Sequence, residues 1–543
     1  GSFDQVLVLL NGVNITDPQT GHHNLNIPID LSSIQRIEIL QGPGARLYGP
    51  GAFCGAINII TKPQPENSIQ ISSKEGEYGL TGGNISTTLK IKSSATFLSA
   101  SYNRCDGYIE NTDFKNLNLF LHSNLSSKIG DFSLFSGYQA KEFGANSFYT
   151  PKYPNQFERT KTLISSIEYE RKWNKNKITI NSYLRENWDK FELFRSNPAS
   201  WYAGHNYHLT TVFGEKISYQ LITQIGRTQV GIELRDEDII SNRLGDTLSK
   251  PIKIEGTDSS YYTMGDNRLI YNVFADQAFY FNRFSISGGF NYSYCNEYNG
   301  NWSYGIDASY QIISNLKVYT SANRSFRNPT FNDLYYNGST NYGNPNLKPE
   351  SAITYEGGFK LDYVILSGNI GYFHRDGKNI IDWIKLPAET KWHTQNYTSL
   401  STDGIEVSLT SNLRDKIIFI NNLFVSYSRY WNSKQSGDFD SYYALDYIKH
   451  NLKFGVNHNI VSKLSASWNF IWQQRAGDYI NVSNVVKTYK PFWLIDLKLS
   501  WTASKYSIFV EATNLFNSKY VDIGNIKQPS RWISAGFRYK FRW

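Results

Sequence analysis

Trp532-Ile-Ser-Ala-Gly-Phe-Arg-Tyr-Lys-Phe-Arg-Trp543 is the stretch whose reading decides the fold. Ile533, Ala535, Phe537, Tyr539, Phe541 and Trp543 fall on one face of an extended segment, while Ser534, Arg538, Lys540 and Arg542 fall on the other. Successive side chains of a strand point to opposite faces, so this period of two marks a strand with one greasy and one wet side. Further in, residues 494–501 set Ile495, Leu497, Leu499 and Trp501 against Asp496, Lys498 and Ser500. Residues 177–184 separate Ile178, Ile180 and Leu184 from Thr179 and Asn181 in the same way.

Alternation alone does not choose the solvent, because a soluble β-sandwich shows it too. Three features favour a transmembrane barrel. The strand-like segments run to 9–11 residues or more, which a tilted strand needs to cross a bilayer, whereas soluble strands centre near 5–6. Aromatic residues crowd toward segment ends, at residues 143–153, Tyr261-Tyr262, Tyr292–Tyr294, Tyr335-Tyr336 and Tyr442-Tyr443, where amphipathic rings suit a membrane interface. The last residue, Trp543, is itself aromatic.

Composition agrees. The 543 residues are only 40% hydrophobic yet include 13 Trp, 39 Tyr and 32 Phe. A barrel wall, half facing lipid and half facing water, averages to such a polarity. The apolar run Val6–Leu10 is five residues, against about 20 for a membrane helix. The net charge of +8 is spread along the chain, which disfavours nucleic acid as a partner. Cys54, Cys105 and Cys295 are too few and too far apart for a disulfide framework or a zinc cluster. No Gly-x-Ser-x-Gly, His-Glu-x-x-His or phosphate-binding loop is present, so no enzyme activity is expected.

Short turn signals, among them Ser126-Ser-Lys128, Asn174-Lys-Asn176, Ser314-Asn315, Ser462-Lys463 and Ala503-Ser-Lys505, alternate with long polar connections at residues 140–159, 237–267, 324–351 and 427–444. Short turns at one end and long loops at the other describe the periplasmic and extracellular rims of an outer-membrane barrel.

Residues 1–62 lack the alternation and read as a compact α+β piece: a strand at 5–10, a turn at Asn11-Gly12, a second strand near 34–40, then Gly42-Pro43-Gly44. Asn11-Gly-Val13, Ile34-Gln-Arg-Ile-Glu-Ile-Leu-Gln-Gly-Pro43, Leu47-Tyr-Gly49 and Gly55-Ala-Ile-Asn-Ile-Ile-Thr-Lys62 resemble the plug domain of TonB-dependent outer-membrane receptors. Ser325-Phe-Arg-Asn-Pro-Thr-Phe-Asn-Asp-Leu-Tyr335 with Gly343-Asn-Pro-Asn-Leu-Lys-Pro-Glu350 is similar to that family's receptor signature, and Asn514-Leu-Phe-Asn-Ser-Lys-Tyr520 to its penultimate-strand motif. The resemblance implies a partial plug domain at residues 1–66 inside a 22-stranded antiparallel barrel at 67–543, a strand number that leaves a lumen wide enough to need plugging. Family plugs carry a further half-domain with a TonB box, which the expectation of a truncated plug leaves ahead of Gly1.

The resemblance implies uptake across the bacterial outer membrane, with ligand bound between plug apex and extracellular loops and a TonB-driven displacement of the plug. Chain size and the plug loop favour the vitamin B12 subgroup, hence cobalamin or a related corrinoid as ligand. A ferric siderophore or haem is the alternative, and a soluble all-β carbohydrate-binding protein is the reading from another class. A surface-exposed substrate-binding lipoprotein is a further partner to expect. The apical loop at 14–26 nominates Thr16, Asp17, His22, His23 and Asn24 as ligand contacts, and the second apical segment nominates Tyr48. For haem, His22 or His23 would act with His205 or His208. Asp236, Glu237, Asp238 and Asp246 are candidate calcium ligands, since hard cations want several carboxylates together. Arg36 and Glu38 are expected to anchor the plug to charged lumen residues, and Trp201-Tyr202 to belong to the interface girdle.

Overall fold

Twenty-two long strands, from Ser68–Gly76 to Trp532–Arg542, each pair antiparallel with the next in sequence, and the last closes on the first with Arg542 opposite Ser68. This computed structural model describes residues 3–63, 66–149, 152–338, 341–387, 389–414, 419–434, 440–441, 447–481, 485–524 and 526–543. Tyr442 and Tyr443 lie outside them.

The strands meet in tight turns at one rim, as at Trp173↔Asn176, Phe281↔Phe284 and Tyr363↔Leu366. Asn174 and Asn282 take positive φ there, at 50° and 41°, as two-residue hairpin loops require. The opposite rim carries the long connections, with less loop than the sequence suggests. Residues 237–267 are mostly strand: Gly226–Ser241 and Tyr261–Phe281 run on past the membrane zone, and Asp246–Lys253 folds back onto the second of them.

The alternation sorts the residues by face. Ile71, Ile85, Leu119, Ile167, Phe213, Ile232, Val273, Phe290, Ile306, Phe359, Ile370 and Phe537 are exposed on the outside of a wall with no free edge. An apolar belt of this extent belongs in lipid, which removes the soluble carbohydrate-binding reading. Inward positions are polar and buried, among them Ser101, Asn118, Gln139, Asn187, Asn272 and Asn291.

What buries them is the plug. Its sheet runs in the order Val13–Asn14, Val6–Leu10, Gly55–Thr61, Ile34–Gln41. Val6–Leu10 lies parallel to Gly55–Thr61 and is covered on both faces, which is why it reads as an unbroken apolar run. Leu7 and Leu9 pack on Ala45, Ala52 and Ala56. Val8 and Leu10 join Val13, Ile15 and the wall residues Phe97, Phe120, Phe135, Ile164 and Val212 in one core that spans both domains. Full burial of each such side chain contributes roughly 1.5–3 kcal/mol, so the docked position is itself held by hydrophobic burial.

The last plug strand ends at Thr61 and the first barrel strand starts at Ser68. Ile34–Gln41 is an exposed edge strand. Arg36 does not reach the wall from it: its guanidinium sits 2.6 Å from Glu38, which also accepts from Asn58, so the expected plug anchor is a local surface pair.

Candidate functional site

The apical segment 14–26 folds around a short 3-10 turn, Gly21–Leu25, rather than lying open. Gly21 is required by a close approach, since a Cβ there would stand 2.7 Å from both Asp4 N and Phe3 C. The turn sends neighbouring histidines opposite ways. His22 sits among Phe3, Phe148 and Tyr149, with ring centroids 4.6, 5.4 and 5.9 Å away. Its enclosure pushes the imidazole down to about 4, against a weaker upward pull from Glu158.

His23 instead enters the seam between plug and wall. Its Nε2 lies 3.2 Å from Glu158 Oε1 and 4.0 Å from Asp189 Oδ2, and Asn187 Nδ2 donates to its Nδ1 at 3.2 Å. Burial alone would lower the His23 pKa, but the hydrogen bond to Glu158 and the charges of Asp189 and Asp17 outweigh it and hold it above the ordinary value. Asp17 forms an ion pair with Arg185, with side chains 0% and 1% exposed, and accepts a 3.2 Å hydrogen bond from Thr210. Arg185 also donates to the His23 carbonyl at 3.2 Å, and Gln19 Nε2 donates to Asp189 at 3.1 Å. Asn24 Oδ1 accepts from the Asp17 backbone N–H at 2.8 Å. Arg235 donates to the carbonyls of Asn14 and Thr16 at 3.1 and 2.8 Å.

Asp17, His23 and Asn24, nominated as ligand contacts, are therefore sealed between plug and barrel. Asp17 and His23 hold the plug apex to the strands Phe157–Trp173 and Asn176–Glu192, and Asn24 braces Asp17 from within the plug. Thr16 turns its hydroxyl back to Asn14 at 2.6 Å. Tyr48 borders a cavity of about 190 Å³ lined by Asn11, Gly12, Lys177, Lys216 and Glu233, toward the short-turn rim and away from the apex. His22 borders the apical aromatic cluster and stays half-buried; Leu25, beyond the nominated set, is 62% exposed there.

Two further seams went unread in the sequence. Arg46 reaches Asp276 at 3.2 Å, bonds Asp307 and donates to Asn323 at 3.3 Å. The 325–350 signature builds the third. Thr330 caps the helix Phe331–Tyr335 in a reciprocal capping box with Asp333. Arg327, opposite Glu350 in register, donates to it at 2.7 Å and lies 3.4 Å from Asp333, while Gln5 of the plug donates to Glu350 at 3.1 Å. The helix then seats on the plug: Phe331 N donates to Pro18 O at 2.9 Å and Asn332 N to Gln19 O at 3.1 Å.

The four calcium candidates do not converge. Strand alternation turns Glu237 inward, buried between Arg235 and Arg268, and turns Asp236 and Asp238 outward. Asp246 lies exposed on the folded-back strand. The haem histidines are committed separately, His208 to Ser241 at 2.7 Å and His205 to Tyr202 at 3.1 Å. Trp201 and Tyr202 stand in the connection between Asn176–Glu192 and Asn206–Ile222, not in a girdle on the wall, and pack on Phe194 with Tyr153. Cys54, Cys105 and Cys295 are all free.

Comparison with known proteins accords with this architecture. The family model described as TonB dependent receptor-like, beta-barrel matches residues 99–515, and that of the TonB-dependent receptor plug domain matches residues 1–56. Similar curated proteins include the vitamin B12 transporter BtuB of Photobacterium profundum, 25% identical over 98% of this chain and 84% of that protein. BtuB of Vibrio vulnificus (strain CMCP6) is 22% identical over 99% and 84%. Among solved structures, a mutant of the ferric enterobactin receptor PfeA from Pseudomonas aeruginosa superposes with a TM-score of 0.78 at 14% identity, covering 99% of this chain and 90% of that one. The copper transporter OprC superposes at 0.80 and 12% identity, with the same coverage. A closed 22-stranded wall with an apolar outer belt, a plug docked in its lumen, and both family models matched make this chain a member of the TonB-dependent receptors, transporters of the bacterial outer membrane that work with TonB.

Proposed function

We propose that this receptor takes up cobalamin or a closely related corrinoid. The observation that carries the reading is sequence likeness along the whole chain to proteins named vitamin B12 transporters, at 22–25% identity over 98–99% of its length. The solved siderophore and copper receptors share the fold at 12–14% identity, which supports no ligand.

The binding surface in this reading is the ground above the sealed seam. Leu25 at 62% exposure, Phe148 at 38% and Trp201 at 54% stand at the extracellular rim, with His22 beneath. Exposed rings of this kind offer flat apolar contact to a large conjugated ligand at little entropic cost. Energy coupling would then act by breaking the seam, because the pore cannot open while Asp17, His23 and Arg46 tie the plug to the wall. A surface lipoprotein that hands over ligand would meet the same rim. Titration of the detergent-purified receptor with cyanocobalamin, against a ferric siderophore, haem and Cu²⁺, tests the assignment. Saturable binding of the corrinoid alone supports it, and preference for any of the other three overturns it.

A further inference from the structure

The geometry points to a site for a zinc-like divalent cation, formed by His23 of the plug with Glu158 and Asp189 of two neighbouring barrel strands. One ligand atom from each lies within 4.8 Å of the other two, and all three residues are buried. An imidazole with two carboxylates is a set that Zn²⁺ accepts, at bonds of about 2.0–2.2 Å. Tetrahedral angles then put ligand atoms roughly 3.4 Å apart. The His23–Glu158 and His23–Asp189 separations of 3.2 and 4.0 Å need only a sub-ångström adjustment.

Unpartnered acceptors point to the same spot. Asp189 Oδ1 is buried without a hydrogen-bond partner, and so is Oε1 of Gln19, whose amide nitrogen already holds the other Asp189 oxygen at 3.1 Å. A buried carboxylate oxygen without a partner is rare, and a cation held at Asp189 would satisfy it.

Asp17, Glu158 and Asp189 are three carboxylates, set among Arg185, Lys141 and the His23 imidazole. A divalent ion would enter as the Nε2 proton leaves, with the remaining ring proton on Nδ1. Asp17 Oδ2 stands 3.8 Å from Nδ1, a carboxylate behind the imidazole as behind many metal-bound histidines. The ion would staple the plug apex to strands Phe157–Trp173 and Asn176–Glu192. It does not depend on which nutrient is carried.

The test is isothermal titration of Zn²⁺, with Ca²⁺ as control, into detergent-purified receptor that lacks a polyhistidine tag and has been stripped with chelator. Metal content by mass spectrometry accompanies it. The expected result is one Zn²⁺ per chain and no response to Ca²⁺. Affinity should fall about 100-fold or more in Asp189→Asn and Glu158→Gln, which keep shape and hydrogen bonding, and in His23→Gln, with every variant still showing the heat-modifiable migration of a closed barrel. Asp236→Asn, on the outward face, should bind as the parent does. No stoichiometric zinc, or equal zinc in parent and the Asp189 and Glu158 variants, overturns the site. So does nuclear magnetic resonance showing His23 doubly protonated and indifferent to added zinc.

Discussion

Asp17 of the plug and Arg185 of the barrel wall form an ion pair closed to water on both sides, with side-chain exposures of 0% and 1%. The pair is 168 residues apart in sequence, and it joins the plug to the barrel wall. Leaving one member of such a pair buried alone costs about 3–5 kcal/mol, more than the net worth of the intact pair. Arg185→Ala should therefore loosen the plug without unfolding the barrel. The readout is permeability: cells carrying the variant should admit large antibiotics that the parent excludes. Asp17→Asn with Arg185→Met, which removes both charges, should leak less than Arg185→Ala alone.

Gly21→Ala puts a methyl group against Asp4 Oδ1 and 2.7 Å from Asp4 N. Side-chain movement relieves the first contact but not the second. The turn at residues 21–25 must separate from residues 3–5, at a cost of about 1–3 kcal/mol. Faster cleavage near the N-terminus in limited proteolysis, with the barrel core unchanged, is the expected pattern.

Gly137 lies in the wall against Pro28 of the plug, where a Cβ would meet Pro28 Cγ and its carbonyl oxygen at 2.8 Å. Gly137→Ala should displace the plug from this side and weaken it by a similar amount, about 1–3 kcal/mol. Differential scanning calorimetry should show a lowered plug transition beside an unshifted barrel transition.

Arg327→Lys keeps the charge but loses the planar fork that serves both Glu350 and Asp333. The helix Phe331–Tyr335 should then unseat from Pro18 and Gln19. Hydrogen exchange at the Phe331 and Asn332 amides should rise by at least tenfold, while strand amides such as those of residues 316–326 keep their protection.

The barrel was legible in the sequence because a two-sided wall writes its period directly into the chain, as residues 533–543 show. The plug was legible through its quoted motifs. The seam was not. Asp17, His23 and Asn24 look like any polar loop, and the wall partners of Asp17 and His23, namely Glu158, Arg185 and Asp189, lie 135 to 168 residues downstream. One signal was present: Arg185, Asn187 and Asp189 fall in phase with the lumen face, and charges at such positions need partners. Phase also explains the calcium candidates, since Asp236, Glu237 and Asp238 are consecutive and a strand must split them between two faces. Arg36 was misplaced for a different reason: nothing local shows that Ile34–Gln41 is an outer edge rather than a strand against the wall.

The exposed rim gives a prediction separate from stability. Trp201→Ala removes a ring that is 54% exposed, so the melting temperature should stay within a degree or two. Ligand affinity should drop about tenfold or more if the ring stacks on the bound molecule. Leu25→Asp should act the same way, and neither change should increase antibiotic entry.

Cyanocobalamin titration of the purified receptor tests the central claim most directly. Saturable one-to-one binding at micromolar concentration or below, weakened by Trp201→Ala and Leu25→Asp but not by Asp236→Asn, is the result predicted. No corrinoid binding at micromolar concentration, with a ferric siderophore, haem or copper bound instead, would contradict it.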